Sequence, residues 1–146
     1  MKKVIEFLRN NLKEKDSLVV ACSGGPDSMC LLDLVTKLKD ELNLTIVVAH
    51  VNHKLRIESD EEAKMVEKYA KDHNLIFELM ELNEYLNNTF TESDGRKKRY
   101  DFFNEVIKRY NANILLTAHH GDDLIETILM RLTRGSNLSG YIGIKE

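Results

Sequence analysis

The residues best suited to chemistry are Ser23-Gly24-Gly25-Pro26-Asp27-Ser28, where two hydroxyls, two glycines and a carboxylate fall together. Glycines let backbone N–H groups come close to an anion, because no Cβ stands in the way. Pro26 sits where a proline commonly opens a helix, its missing N–H costing nothing in the first turn. The helix that follows aims free N–H groups and the positive end of its dipole at the same spot, which suits the run to phosphate. Ser23 and Ser28 can add hydroxyl donors. Asp27 matters for a different reason. A carboxylate beside phosphates repels them unless a cation lies between, so Asp27 is a candidate Mg²⁺ ligand; the plainer alternative is a helix-capping residue in an ordinary turn. The Walker spacing with its lysine is absent and so is G-x-G-x-x-G, which argues against P-loop ATPases and NAD enzymes.

A second group is His119-His120-Gly121-Asp122-Asp123, followed by Glu126. A helix starting near Gly121 would place Asp123, Glu126, Thr127, Met130 and Arg134 on one side and Ile125, Ile128, Leu129 and Leu132 on the packing side. Acids at a helix start also favour its dipole, which is the structural explanation for the same residues. His50-Val51-Asn52-His53 leaves a strand at the same rim. With His119, His120, Asp122 and Asp123 it could form a two-metal hydrolase cluster, although histidines at strand ends are more often hydrogen-bonded anchors.

The elements that must position these residues alternate between strand and helix. Residues 3–13 read as helix, and Ser17 to Cys22 as a strand buried on both faces. Met29 to Lys39 has apolar residues at helical spacing, and Leu44 to Val51 is a second buried strand. Ser59 with Glu62 matches a capping box opening a helix through about Asp72. Leu75 to Leu79 is a third strand, residues 81–95 a polar loop, and a helix from Arg96 puts Tyr100, Phe103, Ile107 and Tyr110 on one stripe. Asn113 to Thr117 is a fourth strand. Such alternation predicts an α/β fold with a parallel β-sheet flanked by helices, whose ligands sit at the carboxyl ends of the strands.

The 146 residues fit one domain, and 42% hydrophobic with 31% charged is ordinary for a globular chain. No apolar run approaches the ~20 residues that span a bilayer, and the charged N-terminus is not a signal peptide, so the expected location is cytoplasmic with no membrane contact. Cys22 and Cys30 do not form a C-x-x-C pair. Net charge is −3, unlike the basic balance of many nucleic-acid binders. A local excess, Arg96, Lys97, Lys98, Arg99, Lys108 and Arg109, reads by itself as a solvated helix face.

The loop Ser23 to Ser28 resembles the pyrophosphate-binding loop of the N-type ATP pyrophosphatases, a Rossmann-like adenine nucleotide alpha hydrolase (PP-loop) fold. Within that group, His50 to Arg56, Arg96 to Phe103, and His119 to Gly135 (HHGDDLIETILMRLTRG) resemble the tRNA(Ile)-lysidine synthases. Gly95, Gly121 and Leu124 depart from that pattern without removing a charged group. The resemblance implies ATP- and Mg²⁺-dependent ligation of free L-lysine to the wobble cytidine of tRNA(Ile), through a cytidine adenylated at its C2 oxygen. It implies that Ser23, Gly24, Gly25, Pro26 and Ser28 hold pyrophosphate, Asp27 its Mg²⁺, and that Ala49, His50, Val51 and Asn52 line the adenine pocket mainly through backbone. Asp123 and Glu126 would receive the lysine amine, and Arg99 would pair with its carboxylate or with phosphate. Arg131 and Arg134 would meet tRNA phosphate or developing negative charge. It also allows a homodimer. Since such synthases continue beyond the equivalent of Glu146, residues 1–146 are expected to be an incomplete N-type ATP pyrophosphatase domain. Alternatives are a tRNA thiolase on the same scaffold, the metal-dependent phosphohydrolase, and a nucleotide-binding module without turnover.

Overall fold

Along Leu18-Val19-Val20, successive side chains enter different cores: Leu18 and Val20 join one buried cluster and Val19 another. A strand covered on both faces is what a parallel sheet requires. The computed structural model describes residues 2–54, 57–83, 89–119, 127–134 and 137–145. In chain order these form α1 (Lys2–Asn11), β1 (Ser17–Ala21), α2 (Pro26–Leu42), β2 (Thr45–Asn52), α3 (Ile57–Asp72), β3 (Ile76–Glu81), α4 (Glu92–Tyr110), β4 (Ile114–His119), β5 (Thr127–Arg134) and β6 (Asn137–Lys145).

The sheet order is β3-β2-β1-β4-β5-β6. Strands β3, β2, β1 and β4 are parallel, as the alternation of elements predicts. Val4 and Leu8 of α1, Leu31, Leu32 and Val35 of α2, and Val66 and Ala70 of α3 cover one face. Phe102, Phe103, Val106 and Ile107 of α4 cover the other. Asn43 and Asn111 end α2 and α4 in the left-handed conformation, at φ 58° and 52°, and Asn74 follows α3 at φ 58°. Asparagine tolerates that region better than most residues, so each helix stops just before the next strand begins.

Two helix starts differ from expectation. Helix α4 begins at Glu92, not Arg96, because Thr91 and Asp94 cap it reciprocally: Thr91 Oγ accepts the Asp94 N–H at 3.2 Å and Asp94 Oδ2 accepts the Thr91 N–H at 3.0 Å. Helix α3 opens at Ile57, which places Ser59 inside the first turn and not at the cap, whereas α2 opens at Pro26 as that proline suggested.

The larger difference lies after β4. The helix expected to start near Gly121 and reach Arg134 does not form over Thr127–Arg134, which is β5, antiparallel to β4 and followed by antiparallel β6. A short apolar run fits period 2 as well as period 3.6, and the second edge of β4, opposite β1, offers backbone partners that decide between them. Asp123 and Glu126, with His120, Gly121, Asp122 and Leu124, lie outside the described residues.

Candidate functional site

The strand order reverses beside β1: β2 and β3 lie to one side and β4 to the other. A crevice at the carboxyl ends of the strands flanking such a switch point is where open α/β sheets take ligands. A cavity of about 180 Å³ occupies this place, lined by Ala21 at the end of β1 and Cys22 just after it, Thr117 and Ala118 of β4, Ala49 and Val51 of β2, and Phe103 and Arg99 of α4. A second cavity, of about 280 Å³, lies against α3 and is lined by His50, Asn52, Ser59 and Glu62. Ser23, Val51 and His53 line both.

Between β1 and α2 runs the loop from Ser23. Gly24 has φ +90°, a conformation open to glycine and strained for other residues. Gly25 caps α2 at φ −77° and Pro26 opens it. The Ser23 and Gly24 N–H groups converge on one atom, Ser28 Oγ, each at 3.1 Å. Ser28 in turn donates to the Gly25 carbonyl at 3.1 Å. Two N–H donors fill both lone pairs of that hydroxyl, so the Ser23 Oγ contact at 3.0 Å competes with them. The loop is therefore a concave nest of donors around an oxygen, the kind of arrangement in which anions are held. A Cβ on Gly25 would meet only Ser23 Oγ, at 3.5 Å, which leaves the loop's outer side open to close approach.

Asp27 is buried in the first turn of α2. Its position directly after the anion nest suits a carboxylate that shares a cation with bound phosphates. Among the described residues no group of three or more His, Cys, Asp or Glu side chains could hold a metal ion.

The four residues Ala49 to Asn52 do not line one pocket. Side chains alternate along β2, so Ala49 packs on the α4 side and lines the first cavity, whereas His50 and Asn52 face the second. Asn52 is a structural hub: its Nδ2 donates to Asp60 at 2.8 Å, its Oδ1 accepts the Lys54 N–H at 3.0 Å, and its carbonyl accepts the Leu82 N–H at 2.7 Å. Lys54, at φ 57°, binds Asp60 at 2.8 Å and Glu81 at 3.0 Å. This network fixes the turn that carries His53.

His50 is 2% exposed, and its Nδ1 lies 2.7 Å from the Cys22 carbonyl. A carbonyl only accepts, so Nδ1 carries the proton. Burial pushes the His50 pKa below its ordinary value, against the opposing pull of the Cys22 carbonyl and Glu62. Burial also lowers His53, reinforced by the Arg99 cation. Arg99 thus reaches the first cavity beside His53, and it lies 3.8 Å from Glu92. Burial raises the Cys22 thiol, which keeps it protonated and away from nucleophilic chemistry.

Arg131 and Arg134 are not brought to this rim. Thr127 pairs with His119 at the carboxyl end of β4, and the antiparallel register carries Arg131 back to the level of Leu115, near that strand's start. Arg134, further along, pairs with Asn137. Sequence reasoning missed Glu62, which read only as a capping residue, and Phe103 and Thr117 as cavity walls. The signal for the last two was available, since Thr117 lies toward the carboxyl end of a strand beside β1 and Phe103 belongs to the buried stripe of α4.

The PP-loop domain family profile matches residues 1–146. The chain is 42% identical over 142 residues to a tRNA(Ile)-lysidine synthase of Clostridium tetani, covering 93% of this chain and 30% of that protein. It is 39% identical over 151 aligned positions to a tRNA(Ile)-lysidine synthase of Clostridium perfringens, covering 99% of this chain and 32% of that one. It therefore spans about a third of the length of these curated relatives. Among solved structures, the U34-tRNA thiolase NcsA from Methanococcus maripaludis, with its 4Fe-4S cluster, has the same fold at TM-score 0.64 and 17% identity, over 80% of this chain and 43% of that one.

Proposed function

Because this chain belongs to the PP-loop domain family, we propose that it binds ATP at the switch-point crevice and serves the ligation of L-lysine to the wobble cytidine of tRNA(Ile). The observation that carries this reading is the convergence of the Ser23 and Gly24 N–H groups on one oxygen position, directly ahead of α2. Donors fixed in advance around that position would hold the pyrophosphate end of ATP and stabilise the charge that develops as it leaves. The dipole of α2 acts in the same direction.

The base would lie in the apolar slot between Ala49 and Val51 on one side and Phe103 and Thr117 on the other. Asp27 would hold Mg²⁺, which neutralises the phosphates when bound. In the first half-reaction the C2 oxygen of cytidine attacks the α-phosphate and pyrophosphate departs. In the second, the lysine amine attacks C2 and AMP leaves. The attacking amine must be neutral, so a carboxylate that accepts its proton is required, and Asp123 and Glu126 supply candidates in the sequence. Arg99, at the cavity wall, would pair with a phosphate or with the lysine carboxylate. Arg131 and Arg134, on β5, remain candidates for tRNA phosphate. A homodimer and a cytoplasmic setting belong to the same reading; among the described residues no helix is long and apolar enough to cross a membrane.

Sulfur transfer is less well served. The chain's two cysteines are Cys22, buried beside the loop, and Cys30 within α2, and burial keeps the first as a thiol. The test is pyrophosphate release by the complete protein, with ATP, Mg²⁺, tRNA(Ile) and with or without lysine. Pyrophosphate and AMP in step with lysine incorporation are expected; phosphate and ADP as products would exclude adenylation.

A further inference from the structure

Two hydrogen bonds meet on one peptide unit. The Cys22 carbonyl accepts from His50 Nδ1–H at 2.7 Å, and the N–H of the same peptide, that of Ser23, points into the anion nest at 3.1 Å from Ser28 Oγ. The Cys22 N–H is separately tied to the Ala49 carbonyl at 2.9 Å, so β1 reaches its last residue in register with β2 before the loop departs. The Cys22–Ser23 plane is the first unit of the loop with no sheet partner of its own. A plane held only by its neighbours rotates easily, and rotation would swing the Ser23 N–H out of the nest.

We propose that His50 is a positioning residue for the anion loop: by donating to the Cys22 carbonyl it fixes and polarises the peptide whose N–H binds the phosphate. This rests on the reading of the loop as a pyrophosphate site, and it gives His50 a role other than lining the adenine pocket. Donation to a carbonyl withdraws charge through the amide and strengthens the N–H at its other end, the cooperative effect seen in hydrogen-bond chains. The ring is well suited to this. It is 2% exposed, it sits on β2 beside the loop, and its tautomer is set by a partner that can only accept. Glu62 lies close by, with Oε2 3.5 Å from the place a Cβ on Gly24 would occupy, so α3 backs the same loop from the other side. Phosphate, ring and backbone thus form one line: anion, Ser23 N–H, Cys22 carbonyl, His50.

The test uses the complete protein and inorganic pyrophosphate with Mg²⁺, followed by calorimetry and by the amide and imidazole nitrogen resonances. His50→Leu, which removes the donor, should weaken pyrophosphate binding roughly 3- to 10-fold, the range for losing one neutral hydrogen bond. Its Ser23 amide nitrogen should move upfield. His50→Gln, which retains an N–H donor, should recover much of the affinity. Val48→Ala, on the same strand and face but remote from the loop, should leave affinity unchanged while lowering stability. In the unmutated protein, the His50 Nδ1 and Ser23 resonances should shift together as pyrophosphate is added, a readout that does not depend on any variant folding. Equal binding by His50→Leu and the unmutated protein, equal weakening by Val48→Ala, or a Ser23 shift without a His50 shift would each overturn the inference and leave the loop assignment standing. Absence of pyrophosphate binding in the unmutated protein would instead overturn the loop assignment beneath it.

Discussion

At the scale of single residues, the loop separates two demands that its glycines share in sequence. Gly24 is required by its backbone: at φ +90° an alanine is strained, although its Cβ would find ordinary contacts with Glu62 and Val66 at 3.5–3.6 Å. Gly24→Ala should therefore cost about 1–2 kcal/mol of folding stability, measured by denaturant unfolding, even without ligand. An unchanged midpoint would mean that the loop relaxes to a negative φ. The sequence suggested another cause, a Cβ intruding on phosphate, and the geometry replaces it, because that Cβ faces α3. Asp27 is a prediction of chemistry. Asp27→Ala should abolish Mg²⁺-dependent pyrophosphate release by the complete protein while leaving it folded, and retained turnover would remove the metal role. His50 and Asn52 show what residue type alone does not display: both line the second cavity, and both are also engaged in holding backbone.

At the scale of elements, caps and register decide what each helix and strand can present. The reciprocal Thr91–Asp94 cap starts α4 early enough to bring Arg99 into its second turn, facing the crevice. Thr91→Ala should destabilise the protein by about 1 kcal/mol, read from thermal or denaturant unfolding. The Thr91 N–H and hydroxyl hold the Asp94 carboxyl below its usual pKa. A depressed carboxylate stabilises above the unfolded value of roughly 3.9 and loses that effect as pH falls through the folded one. The difference between Asp94→Asn and the unmutated protein should accordingly shrink below about pH 4; a constant difference would show that the charge has no part in the cap. The sheet's far side carries the complementary lesson. Thr127–Arg134 holds both a helical and an alternating reading, and pairing with β4 selects the second.

At the scale of the whole molecule, buried His50 and half-buried His53 link the site to stability. Burial lowers both His50 and His53, so the unfolded chain takes up protons that the folded chain resists. Stability should therefore fall as pH drops below roughly 6.5, the unfolded imidazole value, and stop falling once the folded pKa values are passed. Unfolding midpoints at pH 7.5 and 5.5 should differ, and His50→Gln should reduce the difference; an undiminished slope would place the effect elsewhere. Much of this molecule was legible in its sequence. The glycine-rich loop ahead of α2, the four parallel strands and the rim they share follow from local rules: glycine and proline conformations, apolar runs and the turns between them. Those signals live within a few residues, so a sequence displays them directly. What tertiary structure decided was every question that depends on a partner distant in the chain. The side of β2 on which Ala49 and His50 fall, the carbonyl that fixes the His50 tautomer, and the strand form of Thr127–Arg134 each depend on which edge, ring or backbone group lies opposite. Local spacing sets periodicity, but burial and pairing set direction, and direction is what makes a residue part of a site.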